Sequence, residues 1–274
     1  MANNVTIVTF HHIHPHPDRM TIPPELLEKV LQKMGKNHHF ISYKDFIEFL
    51  FHNKRLPKKP LLLTFDDGYL DNYIYAFPIL KKLKVPAVIF AITGMVETSD
   101  TCRDTMPPFK SHIDLDKNPD PAYFINTAEI EAMEKSGLVE IESHTVSHMT
   151  CRNLPYETVL KELEDSYRFI TSHTRPKEVH GFCWPKGQFD ETALKAIEVS
   201  PYAFAFSTTE GAYHRDDPLY TIRRIDCSAF DGNETKYLKR IQRKLAIYST
   251  PILSKLYTEF REYRIQRKRK KRDD

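Results

Sequence analysis

The chain has few cysteines and spaces them far apart. Cys102, Cys151, Cys183 and Cys227 form no CxxC pair and no short cluster, which excludes a zinc ribbon and a dithiol redox motif and favours a reduced compartment. No window approaches the length of a membrane-spanning helix, and MANNVTIVTFHHIH lacks a basic segment followed by a long apolar run. The expectation is a protein without a cleaved leader, cytoplasmic, with peripheral contact at the inner face of a membrane. No internal repeat is present, which excludes solenoid architectures.

What is present is enough apolar material for a full core: 274 residues, 41% hydrophobic and 12% aromatic. Charge is divided unevenly. Residues 236–272 hold 14 Lys and Arg against two Glu, a net of +12, and the first 235 residues carry −7.

The segment LLLTFDDGYLDNY, residues 61–73, organises the rest. An apolar run with the character of a doubly buried strand ends in Asp66 and Asp67, and Gly68 then permits a tight turn. Helix-period patterns cover 24–34, 43–51, 72–83, 127–135, 155–171 and 191–199. Strand patterns cover 5–10, 61–65, 87–92, 138–141, 181–184, 203–207 and 221–225. Seven strands, most followed by a helix, predict a parallel barrel or open sheet. Residues 99–123 are polar with four prolines and read as a long excursion of the lid or binding-loop kind.

His144 and His148 follow the fourth strand. An i, i+4 pair presents both imidazoles to one ion if the intervening residues make a helical turn, and two His with one carboxylate is a common set for a catalytic divalent metal. In a parallel barrel the Asp pair and the His pair share the face at the carboxyl ends of the strands. The crowded His11, His12, His14 and His16 read as a loop leaving a strand, given Pro15 and Pro17.

TFDDG followed by H-T-x-x-H resembles the polysaccharide deacetylases, the NodB-homology enzymes of carbohydrate esterase family 4. The resemblance covers roughly residues 5–230. It implies an α/β fold, a distorted (β/α)7 barrel in residues 1–233, with 234–274 left as a basic amphipathic helical extension. It also implies metal-dependent removal of an N-acyl group, chiefly N-acetyl, from an amino sugar of a glycan, lipid-linked or nucleotide-linked saccharide. Carried over, Asp66 is the general base, and Asp67, His144 and His148 hold one divalent ion, zinc by preference. GFCWPKG, residues 181–187, is similar to the family's aromatic-Pro-aromatic-Gly segment. It gives the Lys186 backbone N–H to the oxyanion, and with Lys186 in place of an aromatic residue, any stacking on the sugar falls to Trp184 or elsewhere. A permuted branch that includes biofilm poly-N-acetylglucosamine deacetylases carries its acid histidine in an N-terminal Phe-His motif. VTFHH matches that motif and makes His11 the general acid; IRRI, residues 222–225, resembles that branch's late Arg-Ile strand and adds Arg224.

These roles suit acyl transfer: the metal makes a nucleophile of water near neutral pH, a base and an acid move protons, and an N–H meets the oxyanion. The competing reading is a catalytically silent carbohydrate-binding or membrane-associated scaffold. The basic extension suggests attachment to an anionic membrane, and the acidic body argues against nucleic acid as a partner.

Overall fold

In the computed structural model, which describes residues 4–273, the chain runs as follows: β1 Asn4–Phe10, β2 His12–Ile13, β3 Thr21–Ile22, α1 Pro24–Gly35, β4 His39–Phe40, α2 Tyr43–Phe51, β5 Pro60–Phe65, α3 Phe77–Leu83, β6 Ala87–Ala91, α4 His112–Lys117, α5 Thr127–Lys135, β7 Val139–Ser143, α6 Tyr156–His173, β8 Gly181–Cys183, α7 Glu191–Val199, β9 Phe204–Glu210, β10 Tyr213–His214, β11 Ile222–Asp226, α8 Glu234–Tyr248 and α9 Pro251–Asp273. Seven parallel strands close on themselves in the order β1-β5-β6-β7-β8-β9-β11, with β1 pairing both β5 and β11. The implied (β/α)7 barrel is therefore present. The two-residue β4 extends the sheet beside β5, and the two-residue β10 runs antiparallel to β1, both too short to leave a sequence pattern.

Burial on both faces explains why β5 reads as an unbroken apolar run. Leu61, Leu63 and Phe65 join the layer between sheet and helices, whereas Leu62 faces the barrel interior with Val5, Ile7, Val88 and Phe206. Toward the carboxyl ends the interior turns polar, with Thr9, Thr64, Asp66 and Arg224 all buried. The predicted helix over 72–83 is divided: a π turn at Asn72–Ala76 precedes α3. Pro78 has no N–H to donate within such a helix, which breaks the regular bonding there.

The excursion 99–123 is tightly fastened. Arg103 forms an ion pair with the buried Glu129 (2.7 Å) and donates to the carbonyls of Ala122 and Phe124. Within it α4 begins at a reciprocal Ser111–Asp114 cap, worth about 1 kcal/mol, and buries Leu115 among Tyr69, Ile92, Tyr123 and Phe124. At the other end of the chain, α8 packs Tyr237, Leu238, Ile241 and Leu245 into the same layer as Val30 and Met34 of α1. The following helix touches the barrel through Ser254, whose Oγ meets His214 Nε2 at 3.1 Å, and through Arg261 at Glu210. All four cysteines are free; Cys102 is exposed and the other three are buried.

Candidate active site

The β1–β5 ladder continues one residue past the strand, where Asp66 N–H donates to Phe10 O (2.9 Å). The backbone then enters the left-handed region at both Asp67 (φ 73°) and Gly68 (φ 73°). A Cβ on Gly68 would lie 2.9 Å from Ala91 Cα, so only glycine fits. Asp67 adopts this conformation at a cost of about 1–3 kcal/mol, the sort of strain that persists where a side chain must be aimed. The result is two adjacent carboxylates that diverge.

Asp66 points into the barrel and is clamped by Arg224, Nη1 to Oδ1 at 2.6 Å and Nη2 to Oδ2 at 2.7 Å. Arg224 is itself aligned by Ser207 O, Thr9 Oγ1 and Thr64 Oγ1. Burial alone raises the Asp66 carboxyl, but the guanidinium outweighs it and holds the group below the usual carboxylate range. Arg224 is 1% exposed; besides Asp66 and the three groups that align it, it contacts Cys183 Sγ (3.0 Å) and forms part of the wall of the site cavity.

Asp67 turns toward the two histidines, with Oδ1 3.4 Å from His144 Nε2 and 3.3 Å from His148 Nε2. His144 donates Nδ1–H to Cys183 O (2.7 Å), which leaves Nε2 facing Asp67. Both Asp67 oxygens are buried without a hydrogen-bond partner, an expensive arrangement unless a cation belongs there. Burial pushes His148 down to about 4. For His144 burial works in the same direction, but Cys183 and Asp67 reverse it and carry the ring well above its ordinary value. The donor set therefore fits a divalent ion held by Asp67, His144 and His148. A second grouping, Asp66, His144 and Cys183, also lies close together. Asp66 is already committed to Arg224 there, and burial pushes the Cys183 thiol up.

The histidine pair is not carried by a helical turn, contrary to the i, i+4 expectation. Residues 144–148 form a loop with Thr145 and His148 at positive φ. Glu162 of α6 braces it, accepting from Val146 N–H, Ser147 N–H and Ser147 Oγ.

Around this center lies a cavity of about 260 Å3 lined by His11, Asp66, Asp67, His112, His144, His148, Lys186 and neighbours. Larger hollows of about 610 and 620 Å3 lie elsewhere, and neither holds such a carboxylate–imidazole set. His11 Nε2 is 3.9 Å from Asp66 Oδ2, and its Nδ1 is 2.8 Å from Ser228 Oγ. Of the N-terminal histidines only His11 lines this cavity; His12 is bonded to Asp71 (2.6 Å) and stacked on Tyr69. Lys186 lies at the mouth with φ 54°. Trp184 does not: it is fully buried, donates Nε1–H to Tyr220 O and packs on Phe182 and Phe189. The expectation that Trp184 stacks on a sugar is therefore corrected, because a side chain at the end of β8 lies beneath the α6–α7 layer. Two residues that sequence reasoning passed over reach the site from α4. His112 Nδ1 lies 3.2 Å from Tyr69 OH and 4.0 Å from Asp67, and Asp116 meets both His148 (3.6 Å) and Lys186 (2.8 Å). Their i, i+4 spacing inside the excursion was the available signal.

The polysaccharide deacetylase family model matches residues 53–205, more than half of the chain, and the chain belongs to this family of carbohydrate-acting hydrolases. YxkH of Bacillus subtilis strain 168, assigned to the same family, is 26% identical over 222 residues, covering 81% of this chain and 71% of that protein. A poly-beta-1,6-N-acetyl-D-glucosamine N-deacetylase of Staphylococcus aureus strain MSSA476 is 29% identical over 199 residues, covering 68% of this chain; the match spans 61% of that enzyme's length. Among solved structures, the Streptococcus pyogenes deacetylase PplD in complex with acetate superposes with TM-score 0.71 at 21% identity, over 89% of this chain and 99% of that one. IcaB from Ammonifex degensii gives 0.68 at 20%, over 88% and 97%. These likenesses are of fold. The family match contains Asp66, Asp67, His144, His148 and Lys186, whereas His11 and Arg224 lie outside it and rest on geometry.

Proposed function

We propose that this protein is a metal-dependent hydrolase that removes an N-acyl group, chiefly N-acetyl, from an amino sugar of a glycan. The carrying observation is Asp67, buried with both oxygens unpartnered between two imidazole nitrogens and beside a carboxylate clamped by arginine. Asp67, His144 and His148 would hold the ion, zinc by the chemistry of the donors; when bound it would polarise the amide carbonyl and make water an available nucleophile near neutral pH. Asp66 is positioned to accept the proton of the attacking water, and Arg224 keeps it ionised and aimed. His11, its Nε2 3.9 Å from Asp66, delivers a proton to the departing amine, which leaves poorly as an anion. The Lys186 backbone N–H serves the developing oxyanion. A silent scaffold has no use for this clamp or for the stranded carboxylate. The named S. aureus relative supports an N-acetylglucosamine polymer or conjugate as substrate. Contact of residues 236–272 with an anionic membrane is the second part of this proposal.

The test pairs metal content with turnover. Asp66→Asn should retain the ion and lose acetate release, by about 10²–10⁴-fold if it removes general-base help. The His144→Ala/His148→Ala double variant should lose both. Undiminished metal in the double variant would move the ligands elsewhere.

A further inference from the structure

We propose that a saccharide enters this site by one of its ends, so that the enzyme acts on a terminal or single N-acylated sugar and not on internal units of a polymer. The inference rests on the deacetylase reading above and concerns the rim of the same cavity. Asp18 Oδ2 accepts the backbone N–H of His112 (3.0 Å) at the start of α4. Asp116, one turn later on that helix, reaches Lys186 in the loop after β8 (2.8 Å), and Thr208 Oγ1 contacts Lys186 O (3.5 Å). One side of the mouth is thus a continuous chain of contacts from Asp18 to Thr208. The remaining arc runs past Asp226, Ser228 and His11, which are joined by Ser228 N–H to Asp226 (2.8 Å) and Ser228 Oγ to His11 (2.8 Å).

A polymer bound along a cleft needs two exits, one on each side of the reacting unit. Here α4 occupies one of them. The exposed Asp116–Lys186 pair alone would be a weak barrier, since such pairs contribute about 0–1 kcal/mol. The wall does not depend on it: Leu115 is buried beneath the helix, Tyr123 OH donates to Pro108 O (2.6 Å), and Arg103 ties the segment to buried Glu129. The cavity's 260 Å3 also falls below the roughly 300–1,000 Å3 typical of sites that enclose larger ligands, leaving room for one sugar and little beyond it. The reacting carboxylates lie at its floor, 2% and 1% exposed.

The experiment uses the full chain loaded with zinc and N-acetylglucosamine oligomers of one to six units, in both β-1,6 and β-1,4 linkage, with the lost acetyl groups located by fragmentation mass spectrometry. Loss from a single terminal unit is expected; loss from internal units overturns the inference. Binding of the same oligomers to Asp66→Asn gives a readout that needs no turnover. Affinity should gain between one and two units and change less than about twofold beyond. A gain that continues with every added unit overturns it as well. If no oligomer loses acetate while affinity still levels off at two units, the deacetylase reading fails and the end-on entry stands.

Discussion

At Arg224 a single side chain connects stability with chemistry. Its guanidinium is buried with Asp66 and meets it through two short contacts, so removing one partner strands the other charge. Arg224→Met should destabilise the fold by about 3–5 kcal/mol at neutral pH, measured by urea midpoint, and abolish turnover. The pH dependence has a definite sign. In the native protein the Asp66 carboxyl is depressed, so its contribution is present above the unfolded carboxyl's value of about 3.9 and is lost as pH falls through the folded one. Without the guanidinium, burial pushes Asp66 upward and it takes a proton sooner, so the gap between native and variant should narrow as pH is lowered from 7 toward 5. A gap that widens on acidification would mean that the pair is not what holds Asp66 ionised. The sequence marked Asp66 and Asp67 because two adjacent carboxylates interrupt an apolar strand, and it offered Arg224 without its hold on Asp66 because a motif carries no information about which way a strand residue points. Trp184 was misjudged for the same reason. Aromatic residues near sites are either platforms or core, and only the packing of Phe182 and Phe189 on it decides.

The elements that hold these residues act through their anchors. Glu162 on α6 takes three hydrogen bonds from the loop that carries His144 and His148, and supports of this kind typically change metal affinity 10–100-fold. Glu162→Ala should weaken zinc binding by about that factor in a chelator competition while leaving the barrel folded, and Glu162→Gln, which keeps an acceptor for the N–H groups, should recover part of it. Equal affinity in all three proteins would show that the loop keeps its shape without Glu162. Helices α5 and α7 were legible to the residue because caps and apolar periodicity coincide, as at Asn126–Glu129 and at Asp190. The six-residue α4 was not, because its face toward the core is reduced to Leu115 and four prolines around it signal a loop. His112 and Asp116 were missed along with it.

Across the whole molecule the unevenness of charge meets an unevenness of exposure. Ser254 and Arg261 face the barrel, while Ile252, Leu253, Leu256, Phe260 and Tyr263, at helical spacing on the opposite side of α9, are 51–74% exposed. No helix among the described residues is long and apolar enough to cross a membrane. A stripe of this kind beside a net +12 suits an anionic lipid surface, where each basic residue contributes about 1 kcal/mol at low salt. Removing residues 251–274 should leave α8 and the barrel folded, with a modest loss from uncovering the buried Tyr248 and His214, and should abolish sedimentation with anionic vesicles. Leu256→Glu/Phe260→Glu should do so without shortening the chain. The full chain should keep part of its binding at high salt through the apolar stripe; sedimentation equal to that of the shortened chain would leave the helix without a lipid role.

The burial of the cysteines also makes the chain a ready-made reporter of its own motion. Burial pushes the Cys151 thiol up to about 12 and raises Cys183 and Cys227, so an alkylating dye offered to the folded protein near neutral pH meets Cys102 alone. Cys102 lies in the fastened segment that carries α4. One label, attached without altering a residue, therefore registers any loosening of that wall, and the step from one reactive thiol to four counts the molecules that have opened entirely.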